Sequence, residues 1–259
     1  MKKFLVLFTA ALLLCLTLTP TAMAGTLYSF PGGNGDSTGT PYEIHTQADL
    51  KGLADDVNGG ETYTGKFFKL MNNITLTGEW TPIGTAANPF SGTFDGNNHE
   101  ISGLDVNNPT LDYQGLFGYV DGGTVENLGV SGTVIGRNYV GGVVGQSDHN
   151  SSVTDCYNAG SVEGQDEVGG VVGWSINNSS VTDCYNTGSV EGQNQVGGVV
   201  QCYGRECGGR ERGAWPLEPG AGGFVHPAEK VTGYKRHKQG NLQNTYFQLH
   251  DRNRRKGET

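Results

Sequence analysis

Lysine and arginine are scarce through most of this chain. Between Gly25 and Val200 only Lys51, Lys66, Lys69 and Arg137 occur, against 20 Asp and Glu, a net of −16. A stretch so short of cations cannot neutralise a phosphate backbone or a sulfated sugar. Nucleic acid and polyanionic glycans are therefore excluded as its ligands, and the excess charge serves solubility. Cysteine is equally sparse: of 5 residues, only Cys156 and Cys184 lie in this stretch. No Cys/His spacing that would hold zinc accompanies them. His99-Glu100 lacks the second histidine of a zinc-peptidase helix, so metal-dependent peptidase chemistry is not expected. The long apolar run, Phe4 to Leu18, is short for a membrane span.

Repetition is what the chain has instead. Val140 to Glu167 recurs as Val168 to Gln195 with 22 of 28 positions identical. Each copy opens Val-Gly-Gly-Val-Val-Gly, passes through Ser-Ser-Val-Thr-Asp-Cys-Tyr-Asn and closes on Gly-Ser-Val-Glu-Gly-Gln. A third copy starts at Val196 and departs from the pattern after Val200. Inside each copy, short β-branched runs alternate with Gly, Asn and Ser, which reads as strands and turns rather than helix. Such a period predicts a solenoid with one coil per copy, equivalent positions stacking about 4.8 Å apart as in a parallel sheet. Val143 then sits over Val171 and Val199, Cys156 over Cys184, and Tyr157 over Tyr185.

Upstream the register persists with less identity. Val125, Leu128, Gly132, Val134 and Gly136 lie 28 positions before Val153, Cys156, Gly160, Val162 and Gly164. Leu128 opposite Cys156 points that position into the core, where cysteine acts as a small hydrophobe. Gly115-Leu116-Phe117-Gly118 matches Gly-Val-Val-Gly with a one-residue slip. The repeat glycines Gly115, Gly118, Gly141, Gly142, Gly145, Gly169, Gly170, Gly173, Gly197 and Gly198 are expected to serve positive φ or close backbone approach.

The Gly-Leu-Phe-Gly, Val-Gly-Gly-Val-Val-Gly and Asp-Cys-Tyr-Asn-x-Gly-Ser-Val-x-Gly segments resemble GLUG-motif repeats. Gly39–Thr46, Phe67–Leu76, Trp80–Gly84 and Phe90–Leu104 resemble the segment that commonly precedes them, so the likeness covers Gly35 to Val200. It implies an all-β chain, a right-handed parallel β-helix. It also implies a bacterial surface setting, since such repeats occur in large adhesins and in stalks of immunoglobulin A metallopeptidases. It is not specific for an activity.

The organisation that follows has four parts. Residues 1–24 read as a secretory signal peptide: Lys2 and Lys3, the apolar run, and Ala22-Met23-Ala24 with cleavage after Ala24. Leu14 before Cys15 argues against a lipoprotein site. Residues 25–110 hold a cap and first coils, with Thr46 and Asp49 as a capping-box start and Leu50, Leu53, Ala54 and Val57 as an apolar stripe ending at Gly59. Residues 111–200 are the repeat. Residues 201–259 turn basic, 11 Lys and Arg against 6 acids, and never return to the motif. Read one base later, the codons for Gln201–Cys207 can encode Ser-Val-Met-Gly-Gly-Asn-Val, a continuation of the coil. Those for Phe247–Lys256 can encode Phe-Asn-Ser-Thr-Thr-Gly-Ile-Gly-Gly-Lys. A frameshifted tail without a fold is the preferred expectation. Its clusters Lys235-Arg236-His237-Lys238 and Arg252–Lys256 then have no evolved nucleic-acid role.

Candidate chemistry meets a plainer reading at each point. Asp155 and Asp183 stack as a carboxylate pair, the arrangement a β-helix lyase or hydrolase would use. They recur because the repeat recurs, and Asn127 takes that place one coil earlier. Asp95-Gly96 suits a turn. Gly32-Gly33-Asn34-Gly35-Asp36 resembles one calcium nonapeptide, but such sites need tandem copies, so a flexible mature N-terminus is expected. Tyr139, Tyr157, Trp174 and Tyr185 form a glycan-binding strip if they face solvent, or turn packing if they do not. Cys156 and Cys184 are near enough for a disulfide, while parallel side chains suit stacked thiols better. The expectation is a non-enzymatic, cofactor-free, exported scaffold for adhesion or display, with a host or matrix protein or a neutral glycan as partner. A carbohydrate-active enzyme and the stalk of a larger surface protease are the alternatives.

Overall fold

Valine at fixed spacing builds one continuous apolar core in the computed structural model, which describes residues 27–202 and 212–213. The chain winds as a parallel β-solenoid of about six turns. In the first copy the strands are Asn138–Gly141, Val144–Asp148, Ser152–Thr154, Tyr157–Asn158 and Ser161–Glu163. Their counterparts are Asp166–Gly169, Val172–Ser175, Ser180–Thr182, Tyr185–Asn186 and Val190–Glu191. Every pairing between the copies is parallel and in the 28-residue register, as with Val140↔Val168, Val153↔Val181 and Tyr157↔Tyr185. Val143 N–H donates to Val171 O at 2.9 Å and Val171 N–H to Val199 O at 2.8 Å, so the expected valine stack stands.

Upstream the coils keep the pairing but change length. Phe117 pairs with Val144, the one-residue slip read from the sequence. Thr93 pairs with Thr124 and His99 with Leu128, with bulges between. Among the described residues three sheets result, one of 12 strands, one of 4 and one of 3. The third copy reaches further than expected: Gln201 and Cys202 still pair with Trp174 and Ser175, and Arg212–Gly213 pairs with Tyr185–Asn186. The backbone ladder thus outlasts the sequence motif, because pairing needs only N–H and C=O groups. The expected signal peptide and most of the tail lie outside the described residues.

Among the described residues one helix, α1 (Gln47–Asn58), interrupts the strands. Thr46 caps it: its hydroxyl accepts from Asp49 N–H at 3.2 Å, and Asp49 Oδ2 accepts from Thr46 N–H at 2.9 Å. Aspartate therefore completes the capping box in place of the preferred Glu. Leu50, Leu53, Ala54 and Val57 bury into the same core as Ile44, Phe68 and Ile83. Gly59 ends the helix as expected, capping it with a right-handed φ of −77°, and the left-handed turn follows at Gly60, φ +112°. The glycine-rich N-terminal stretch also differs from the expected flexible lead. Gly33 N–H donates to Pro41 O and Gly35 N–H to Thr40 O, both at 2.8 Å, and Lys66 pairs with Asp36.

Within the two repeats the left-handed positions fall to residues other than glycine. Asn127, Asp155 and Asp183 form one left-handed ladder, at φ 54°, 52° and 51°. Tyr113, Tyr139, Glu167 and Gln195 form another, at 61°, 58°, 52° and 50°. The repeat glycines instead serve close approach: a Cβ on Gly170 would lie 2.2 Å from Gly198 O. Asx residues enter the left-handed region most readily, which explains why Asn or Asp fills every position of the first ladder. Asp155→Asn is therefore expected to be near neutral. Asp155→Val should cost about 1–2 kcal/mol. Urea midpoints test this, and equal losses for both would remove the corner explanation.

Candidate functional site

Outward-facing aromatics gather in two places, not in one strip. Tyr139 lies on the three-stranded sheet and Trp174 on the four-stranded one, and their rings stack at 5.0 Å and 15°. Tyr113, absent from the sequence-derived set, extends this column from the other side at 5.0 Å and 12°. Tyr119 meets Tyr113 edge-on at 5.3 Å. Tyr157 and Tyr185 stack separately on the twelve-stranded sheet, at 5.1 Å and 11°. Gly129 makes room for Tyr157, whose ring atoms would sit 2.3 Å from a Cβ there. The ring passes over that glycine, and its hydroxyl donates to Glu100 Oε2 at 3.3 Å. Mutual stacking occupies most ring faces, leaving edges and the last ring, Tyr185, at 41% exposure.

Beneath the first column runs a polar network. Gln146 is in register with both Tyr119 and Trp174 and is only 4% exposed. Asp148 receives the Tyr119 hydroxyl at 2.6 Å, Asn177 Nδ2 at 2.7 Å and its neighbour's His149 N–H at 2.8 Å. Burial works to raise the Asp148 carboxyl, but these hydrogen bonds outweigh it and hold the group below the ordinary carboxylate range. Burial and the Asp148 hydrogen bond push the Tyr119 phenol up. His149 Nδ1 approaches Asp121 Oδ1 at 3.1 Å and Asp148 Oδ1 at 3.3 Å. Among the described residues no group of three His, Cys, Asp or Glu is arranged to hold a metal ion.

Two further ladders face inward. Cys156 and Cys184 are buried free thiols. Asn158 and Asn186 are buried as well, and Asn158 Nδ2 donates to Asn186 Oδ1 at 2.9 Å. Asn158 also donates to Gly160 O at 3.1 Å and accepts from Gly160 N–H at 3.0 Å, closing the turn that follows. The turn after Asn186 is tied the same way through Gly188. Asp155 and Asp183 are exposed corner residues. Asp95-Gly96 is not the expected turn but lies within the strand Thr93–Asn107 beside a bulge, the Asp95 carboxylate accepting from Asn97 N–H at 2.8 Å and Asn127 Nδ2 at 3.0 Å.

The charge pattern gives stability a defined pH profile. Arg137 hydrogen-bonds Asp112 and holds its carboxyl down, and Asp49 is lowered by Tyr28 and Thr46 against the pull of burial. Groups depressed in this way stabilise above their unfolded pKa, and the contribution is lost as pH falls through the folded value. Glu126 is raised by burial and by Asp95 and Asp155, and Glu167 by burial and Asp166. Their contribution is complete below the unfolded pKa and disappears as pH rises through the folded one. The thermal midpoint should therefore peak at about pH 4–5, falling on both sides. Asp148→Asn should flatten the acid limb; an unchanged limb would remove Asp148 from this account.

Against known proteins, the GLUG motif family matches residues 136–163 and 164–191. A provisionally named Gly-rich membrane protein of Evansella cellulosilytica is 37% identical over 114 residues, 41% of this chain and 12% of the relative. Halomucin of Haloquadratum walsbyi is 32% identical over 164 residues, 48% of this chain and 2% of that protein. The chain thus spans only a small part of either relative. A provisionally named immunoglobulin A1 protease from Bacteroides ovatus is similar in structure at a TM-score of 0.46 and 18% identity, over 71% of this chain and 70% of that one. Two tandem GLUG repeats, each closing one coil of a parallel β-solenoid, make up residues 136–191 of this chain.

Proposed function

We propose that this chain is an exported, non-enzymatic scaffold of the bacterial surface that displays a binding face for adhesion. The carrying observation is the in-register stacking of outward side chains, which makes long ladders rather than a convergent cleft. The polar groups that resemble a catalytic set are engaged in structural work. Asp148 fastens a corner through three hydrogen bonds, and Asp155 and Asp183 form corners themselves. The partner is a host or matrix protein or a neutral glycan, met along the Tyr157–Tyr185 face and the edges of the Tyr113–Tyr139–Trp174 column. Export is supported by Lys2, Lys3, the apolar run and Ala22-Met23-Ala24, with the mature chain starting at Gly25. Residues 201–259 are read as a shifted frame that cuts the repeat short, which the nucleotide sequence decides.

The test is retention of the purified chain on immobilised matrix proteins and neutral oligosaccharides. Saturable binding is expected, reduced about tenfold by Tyr185→Ala with Trp174→Ala, since each aromatic contact contributes on the order of 1 kcal/mol. Turnover of an oligosaccharide without retention would replace the scaffold reading with an enzymatic one.

A further inference from the structure

One reactive pair plays no part in the proposed display. Cys156 and Cys184 hold the same place on consecutive coils, flanked by the pairs Thr154↔Thr182 and Tyr157↔Tyr185. Their surroundings match atom for atom. The Sγ atoms donate to Thr154 O and Thr182 O at 3.3 Å, and to Val125 O and Val153 O at 3.6 Å. Both side chains are at most 1% exposed. In-register Cα atoms of a parallel sheet lie about 4.8 Å apart, inside the roughly 4.4–6.8 Å that a disulfide spans. The Cβ atoms must close by about 1 Å, a shift that neighbouring coils can share. Burial pushes the Cys156 thiol up, so neither sulfur reacts until the coils open locally.

We propose that Cys156 and Cys184 are an inter-coil staple that closes by exchange with a small-molecule disulfide. One of the two cysteines, as its thiolate, attacks one sulfur of that disulfide; its S–S bond breaks and one thiolate leaves. The other cysteine then loses its proton to solvent and attacks the protein sulfur of the mixed disulfide, expelling the second thiolate. The two protein thiols are oxidised, and the small disulfide is reduced to two thiols. The closed bond ties the two GLUG coils across a 28-residue separation and restricts the unfolded chain. Because both sulfurs are buried, the rate follows local opening of the coils rather than oxidant concentration alone. Export would supply oxidising conditions, but the chemistry does not rest on the adhesion reading.

The full chain is incubated with graded ratios of oxidised to reduced glutathione, quenched in acid, digested and mapped by mass. A Cys156–Cys184 peptide pair lighter by two hydrogens is expected. The linked chain should have an unfolding equilibrium constant lower by about tenfold or more. Cys156→Val and Cys184→Val should each abolish both effects. Leu128 at the equivalent position shows that an aliphatic side chain fits there. The mapping on the unmutated chain stands even if a valine variant fails to fold. Persistent free thiols, links made to Cys202 or Cys207 instead, or a linked chain less stable than the reduced one would each overturn the staple.

Discussion

Gly170→Ala should destabilise the chain by about 3 kcal/mol or more, while Gly198→Ala, at the same point of the next coil, changes stability by less than about 0.5 kcal/mol. A Cβ on Gly170 would lie 2.2 Å from Gly198 O and 2.4 Å from Asn186 Cγ. The first obstacle is backbone of the neighbouring coil, so no rotamer change relieves it. Gly142 is in the same position, with Gly170 O at 2.6 Å and Asn158 Cγ at 2.5 Å. Around a Cβ on Gly198 no atom of the described residues lies within 4 Å. Neither Gly142 nor Gly170 is in the left-handed region, so conformational freedom is not the cause. Chemical denaturation of the three alanine variants gives the answer. Equal losses at all three positions would mean that the glycines matter for some property of the single coil, not for stacking.

A second large effect is expected in the aromatic part of the core. Phe117 is fully buried and touches Phe90 at 5.3 Å and Phe94 at 5.4 Å between ring centroids. It stands where the Val-rich repeats meet the larger side chains of the earlier coils. Phe117→Ala should cost about 3–5 kcal/mol, transfer and cavity terms together. Phe117→Val should cost less than the alanine change, since Val144 is its partner one coil later. If Phe117→Ala left the urea midpoint within experimental error, the core could not be continuous across this junction.

These expectations show where the sequence was informative. Identity at a fixed spacing specified the register, because one repeat can bury its valines only against an equivalent neighbour. The helix was legible through Thr46, Asp49 and the Leu50–Val57 stripe. The candidate face was less so. Tyr139 and Trp174 differ by 35 positions and belong to different strands, so their stacking depends on how the corner between two sheets is turned. Tyr113 lies 26 positions before Tyr139, outside the strict period, and the column it joins escapes a search in steps of 28. The Asn158–Asn186 ladder could have been found: with Cys156 inward and Tyr157 outward, strand alternation turns Asn158 inward again. The corners misled for a physical reason. Upstream, glycine does hold positive φ, as at Gly103 and Gly122, but within the repeats Asn, Asp, Tyr, Glu and Gln occupy it and glycine stands where coils touch.

The most direct measurement is a crystal structure of the full chain, read for the spacing of equivalent Cα atoms. Val143 and Val171, Cys156 and Cys184, and Tyr157 and Tyr185 should each lie about 4.8 Å apart on parallel neighbouring strands. Separations beyond about 10 Å, or antiparallel pairing between the two copies, would contradict the assignment of one GLUG repeat to one coil.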